Sequence, residues 1–305
     1  MKYFLKHITE LTWLTGTLLS VAALCMWIPD FLQSETKLWH TIATLVLSVG
    51  NAVLLMYLLY QTGVTRTRSS LPVFCYLLIV GAMSDLHQQW DGQLSVLALQ
   101  GVLLLLMHAY RSDNAVHESF LCTIVLCAAA LLQPDMLLLL PVVWIGLSVQ
   151  RAMSVRVMLA SLIAAGVFGL YMWISSMLYP DAFSIVSISD AFRHELPKVE
   201  ELLQPAVLTV FALVFAVISL TGFARENSRA QSLVLIMLML TVVGVVMMFF
   251  PPACFTSLMA VAAYCAAALA AYCFCSRQSV AMGIVFIMYI LIPLSIFVIT
   301  IINPL

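Results

Sequence analysis

Apolar residues fill this chain in long unbroken runs, and short clusters of charged and turn-forming residues cut the runs apart. Cutting at those clusters leaves segments at 11–28, 39–60, 69–84, 93–110, 117–132, 136–150, 157–179, 205–223, 231–250, 253–275 and 279–302. The runs are apolar throughout rather than patterned into half-buried faces, so each predicts a helix immersed in lipid. A full crossing takes about 20 residues, and the third, fifth and sixth runs fall short of it. They read as tilted spans or as spans extended by polar turns. Residues 117–150 read equally as two crossings or as a re-entrant hairpin around Gln133-Pro134-Asp135, and either version returns the chain to the same side. The predicted fold is all-α: a polytopic transmembrane helical bundle of about eleven spans. It forms a single integral membrane domain, 1–305, divisible into halves 1–179 and 205–305 by an outer interfacial loop, 180–204.

The clusters between runs predict an orientation, because cytoplasmic loops hold the excess of Lys and Arg. With the N-terminus cytoplasmic, the inner segments carry Lys2, Lys6, Arg66, Arg68, Arg111, Arg151, Arg156, Arg225, Arg229 and Arg277. The outer segments carry Lys37, Arg193 and Lys198, and the C-terminus is periplasmic. Trp27, Trp39, Trp90 and Trp173 fall near outer boundaries and Trp13 near an inner one, where amphipathic rings settle. The expected location is an inner (cytoplasmic) membrane, crossed many times. The N-terminal run ends in Trp27-Ile28-Pro29-Asp30 rather than in small residues, and Leu24 precedes Cys25, so it predicts a span rather than a cleaved signal or a lipoprotein site.

Composition agrees. Of 305 residues, 64% are hydrophobic and 9% charged, with a net charge of -1, against roughly a quarter charged in a soluble domain. No basic stripe marks a nucleic-acid partner. All eight cysteines sit in or beside apolar runs, which predicts small buried hydrophobes rather than disulfides or a zinc site. The short loops exclude a nucleotide-binding domain, and no glycine-rich phosphate loop occurs. Two spans predict close helix packing through small residues: the tenth, from Ala260 to Ala271, and the seventh, through Ala165-Gly166-Val167-Phe168-Gly169.

Candidate chemistry gathers on the outer face, where most acids fall together with His40, His87 and His194. The stretch Ser84-Asp85-Leu86-His87-Gln88-Gln89-Trp90-Asp91 offers two carboxylates and an imidazole, and Pro29-Asp30 fixes a carboxylate just after the first span. Asp30, Asp85, His87 and Asp91 are therefore the candidate catalytic residues; no cofactor is expected, the alternative being a divalent cation on this acidic face. The alternative reading is plainer: outer loops stripped of Lys and Arg need polar residues, and these supply them. In the loop, Phe192, Leu196, Val199 and Leu203 form one apolar stripe at helical spacing, which predicts a helix lying on the surface. No Asp, Glu, Lys or Arg falls near the middle of any span, unlike an ion pump or proton-coupled carrier. Asn51 and Gln100 are the central polar residues, expected to hydrogen-bond between the second and fourth spans.

The phrases Arg66-Thr67-Arg68-Ser69-Ser70-Leu71-Pro72-Val73-Phe74-Cys75-Tyr76 and Leu131-Leu132-Gln133-Pro134-Asp135-Met136 resemble a family of uncharacterised multi-pass inner-membrane proteins of Bacteroidetes. The likeness covers residues 1–180. More distantly, the layout resembles membrane glycosyltransferases of the GT-C type that use polyprenyl-phosphate sugars, in which an acid follows the first span on the outer face. Asp30 matches that position, whereas Phe31 stands where the usual second acid would be. The resemblance implies a polyprenyl-phosphate lipid as partner and Asp30 as base. Three functions follow: an accessory or scaffold subunit in cell-envelope assembly, with membrane-protein partners; a lipid-linked glycosyltransferase-like enzyme; and a carrier or flippase for an apolar cargo. The first best suits short loops and an uncharged membrane interior.

Overall fold

The computed structural model of the chain describes residues 13–33, 38–65, 69–87, 90–112, 114–178, 203–223, 226–249, 255–276 and 279–302. They form α1 (Trp13–Leu24), α2 (Ile28–Gln33), α3 (Leu38–Gln61), α4 (Leu71–Ala82), α5 (Trp90–His108), α6 (Val116–Ala130), α7 (Leu140–Val149), α8 (Val155–Leu178), α9 (Leu203–Gly222), α10 (Ser228–Phe249), α11 (Phe255–Ser276) and α12 (Val280–Ile302). Short 3₁₀ turns cover Cys25–Trp27, Ser84–Leu86 and Pro134–Leu139. Every described regular element is helical, as expected where lipid forces each backbone group to find its partner within the segment. Seven of the helices are long and apolar enough to cross a membrane. The protein is a multi-pass α-helical membrane protein. The surface helix expected within 180–204 lies outside the described residues, apart from Leu203, which opens α9.

Where the bundle packs tightly is decided by small side chains. Helix α11 runs through the centre, against α4, α5, α9 and α10. Every residue from Leu258 to Phe274 is at most 3% exposed, so protein groups enclose the helix over this length. Its alanines let neighbouring backbones approach: a methyl added to Gly244 of α10 would lie 3.8 Å from Ala262 Cβ. Between helices in lipid there is no hydrophobic drive, so this close van der Waals contact supplies much of the association. The chain's two halves therefore interlock, since α11 of the second packs on α4 and α5 of the first.

Helix α4 is short and enclosed. Ser69 Oγ accepts the Leu71 N–H at 3.2 Å, Pro72 sits in the first turn, and Met83 is extended and ends the helix. From Phe74 to Ala82 every residue is buried, so α4 meets protein rather than lipid along its length. Helix α1 lies parallel to it. A methyl added at Gly16 would overlap the Ser70 hydroxyl, and one at Gly81 would lie 3.0 Å from the Ala23 carbonyl oxygen.

The small-residue pattern of the seventh span does not pack as expected. Gly166 and Gly169 of α8 face open space, with no atom within 4 Å of an added methyl. Instead α8 packs on α6 through Val157, Ala160, Ser161 and Ala164, one turn apart on the opposite face. There the Ser119 hydroxyl donates to the Val157 carbonyl at 3.0 Å, the Thr123 and Ser161 hydroxyls pair at 2.7 Å, and Trp144 Nε1 donates to Ser161 Oγ at 2.9 Å.

Residues 116–149 fold back so that their ends meet, the Arg111 N–H donating to the Gln150 carbonyl at 3.2 Å. The same end of the bundle holds the start of α10, where Tyr110 donates to Ser228 Oγ at 2.7 Å. At the opposite end Gln204, in the first turn of α9, donates to Ser84 Oγ at 3.0 Å. The bundle thus has an arginine-bearing end and an end that carries Asp85.

Candidate functional site

The acid-bearing end places the four outer candidates in different settings. Asp30 lies in the short helix α2, its side chain outside the described residues. Asp85 is exposed on the 84–86 turn. Asp91 is half-buried in the first turn of α5, where its Oδ1 accepts the Gly92 N–H at 3.0 Å and its charge meets the positive end of the helix. His87 is 1% exposed. Its Nε2 lies 3.0 Å from the Val80 carbonyl oxygen, and its ring stacks on Trp27 with centroids 4.0 Å apart. Trp27 is equally buried, and its indole N–H has no partner; it is a packed ring, unlike the exposed Trp39 and Trp173. This pair braces the end of α4 against the turn that leaves α1. Among the described residues, no three His, Cys, Asp or Glu side chains group to hold a metal ion.

A denser polar cluster lies deeper, where α3, α4, α5 and α11 meet. Asn51 Nδ2 donates to the Gln93 carbonyl at 2.8 Å and to Gln93 Oε1 at 3.2 Å. Tyr76 donates its hydroxyl to the same Oε1 at 2.6 Å. About two helical turns further along α5, Gln100 Nε2 donates to the Asn51 main-chain oxygen at 2.8 Å. Tyr76 meets Tyr264 of α11 edge-to-face, with centroids 6.0 Å apart. All five side chains are at most 1% exposed. Mid-helix carboxamides of this kind join helices because lipid offers them no other partner.

The cluster is only partly satisfied. Gln93 Nε2 lacks a hydrogen-bond partner among the protein groups, while the Tyr264 hydroxyl faces the Gln100 carboxamide and Tyr76 faces Asn51 without the geometry of a full hydrogen bond. Its groups are neutral, and they donate or accept hydrogen bonds without moving protons. Chemically it is a clasp that fixes four helices in register. Sequence reading picked out Asn51 and Gln100 but passed over Gln93, which sits at the edge of its run, and Tyr76 and Tyr264, which count as apolar residues. A second interior tie joins α12 to α4, the Tyr289 hydroxyl donating to the Cys75 carbonyl at 2.9 Å inside a group of aromatic rings from Phe211, Phe215, Phe274 and Phe286.

These features define the class, a polytopic helical membrane protein whose interior polar groups tie helices together. Comparison with family models, with curated proteins and with solved structures returns no match in any of the three.

Proposed function

We propose that the protein is an accessory or scaffold subunit of a cell-envelope assembly in a bacterial inner membrane. In this reading it crosses the membrane about eleven times, with the N-terminus cytoplasmic and the C-terminus periplasmic. The observation that carries the reading is the outward notch on α8. Gly166 and Gly169 lie on an exposed face between Leu162 and Trp173, with open space above both glycines. Two glycines three residues apart on an apolar face allow a second helix backbone to approach closely. The occupant is a transmembrane helix of a partner protein. The filled interior along α11 and the neutral polar clasp support a rigid body over a carrier with a moving cavity.

The test places photo-crosslinking residues at Leu162, Gly166 and Trp173 of α8, and at Val298 of α12 as an exposed control, in cells expressing the protein at its native level. A single partner captured from the α8 positions and not from Val298 supports the reading. Capture of lipid alone, or only of a second copy of this chain, refutes it. The scaffold reading also expects Asp30→Asn and Asp85→Asn to leave function intact at normal protein levels. Loss of function in either would favour an enzyme acting at the acid-bearing end.

A further inference from the structure

The arginine-bearing end of the bundle holds a cavity of about 180 Å³, lined by Tyr110, Arg111, Gln150, Arg151, Ser228 and Ser232 among others. It opens where three span-length helices end, after His108 of α5 and Gly222 of α9 and before Ser228 of α10. That position is the depth of lipid headgroups. Gln150 is fully buried, yet neither its carboxamide nitrogen nor its oxygen has a hydrogen-bond partner. A buried carboxamide left unpaired is unfavourable unless something in the adjoining space satisfies it.

Two arginines supply the charge of the lining, among neutral neighbours such as Val149, Phe223 and Leu235. Arg111 and Arg151 are the two described non-glycine residues with positive φ, 57° and 59°, and the bond from the Arg111 N–H to the Gln150 carbonyl holds their turns together. Arg151 follows α7 in a helix-ending turn, with the Ala152 N–H reaching back to the Leu147 carbonyl at 3.0 Å, a position that usually takes glycine. The Arg111 guanidinium lies 5.3 Å from the centre of the Tyr110 ring. Among the described residues, no carboxylate lies within ion-pair distance of either guanidinium; the one pair found joins His108 and Glu118 at 3.3 Å. Helix α10 begins at Ser228 and brings the positive end of a 22-residue helix to the same cavity.

Two guanidinium groups with no carboxylate partner among the described residues, a helix N-terminus and a buried carboxamide donor favour an oxyanion, and phosphate is the one whose several oxygens can meet donors on all these sides. The volume falls well below the ~300 Å³ of a site for a drug-sized ligand, which leaves room for one phosphate and a short substituent. We propose that this cavity binds the phosphate group of an anionic ligand, supplied by a phospholipid headgroup of the adjoining leaflet or by a soluble phosphate. The idea is independent of the notch on α8.

The test uses the full chain in a maltoside detergent, which carries no phosphate, and measures binding by native mass spectrometry and by tryptophan fluorescence. The probes are phosphatidylglycerol, diacylglycerol and inorganic phosphate. Phosphatidylglycerol binding that inorganic phosphate does not displace identifies a lipid headgroup; displacement by inorganic phosphate identifies a soluble phosphate. Arg111→Gly and Arg151→Gly remove each charge while suiting the left-handed backbone, and each is expected to weaken binding about tenfold. Arg111→Asn and Arg151→Asn serve if a glycine variant loses helicity, since Asn also tolerates that backbone. Binding of neither phosphate probe overturns the proposal, as do equal binding of diacylglycerol and unchanged affinity in the folded double variant.

Discussion

Tyr76→Phe deletes one hydroxyl from the buried clasp and leaves the ring contact with Tyr264 in place. The lost bond, 2.6 Å long to Gln93 Oε1, lies between two fully buried side chains. Interhelical hydrogen bonds inside membrane proteins are worth about 0.6 kcal/mol on average and up to about 1.7. The short distance places this one in the upper half, at about 1–1.5 kcal/mol of destabilisation. Gln93→Met removes the acceptor at similar size. Asn51 Nδ2 then keeps its 2.8 Å bond to the Gln93 main-chain oxygen, so the damage centres on Tyr76. A double-mutant cycle over Tyr76→Phe and Gln93→Met therefore isolates the bond, with an expected coupling of about 1 kcal/mol. The assay is reversible unfolding in mixed micelles, followed by far-ultraviolet circular dichroism. Additivity of the two changes to within about 0.3 kcal/mol would show that the hydroxyl and the carboxamide do not interact, and the clasp would be misassigned.

Close helix contact gives a second expectation. Gly81→Val forces a side chain against the Ala23 carbonyl, 3.0 Å from where Cβ would stand, and should destabilise the protein by about 1–3 kcal/mol, read as an earlier unfolding midpoint. Ala267→Leu in the fully buried centre of α11 should cost a similar amount, whereas Gly166→Leu, which faces open space, should leave the midpoint unchanged while abolishing cross-linking at the notch. Orientation is checked by cysteine labelling in intact cells: a membrane-impermeant maleimide should modify Asp85→Cys and spare Asn114→Cys, and the reverse pattern would invert the proposed topology. Both positions are exposed, so a failure to label reports sidedness rather than burial.

The order of helices was legible in the sequence, because a bilayer demands continuous apolar runs and polar clusters mark their ends. The run read at 39–60 is the helix Leu38–Gln61, and the run at 279–302 is Val280–Ile302. The short third, fifth and sixth runs correspond to Leu71–Ala82, Val116–Ala130 and the 3₁₀–helix pair Pro134–Val149. Small residues pointed to close packing in the tenth and seventh runs, and the tenth is the central helix; what the runs did not reveal was which of the two is enclosed. Both α8 and α11 carry small residues, yet α11 is enclosed while α8 turns Gly166 and Gly169 outward. In water, an apolar stripe would have given the buried face away. In lipid the surroundings of a helix are as apolar as its neighbours, so composition does not tell an inward face from an outward one. The same reason hid Tyr76 and Tyr264 among apolar residues, and left Gln150 as the unremarked last residue of the run 136–150 until folding buried its side chain. Sequence alone settled that the chain is helical and lives in a membrane. Only tertiary packing decided which side chains meet there, because those meetings depend on backbone approach distances that small residues permit and no local pattern encodes.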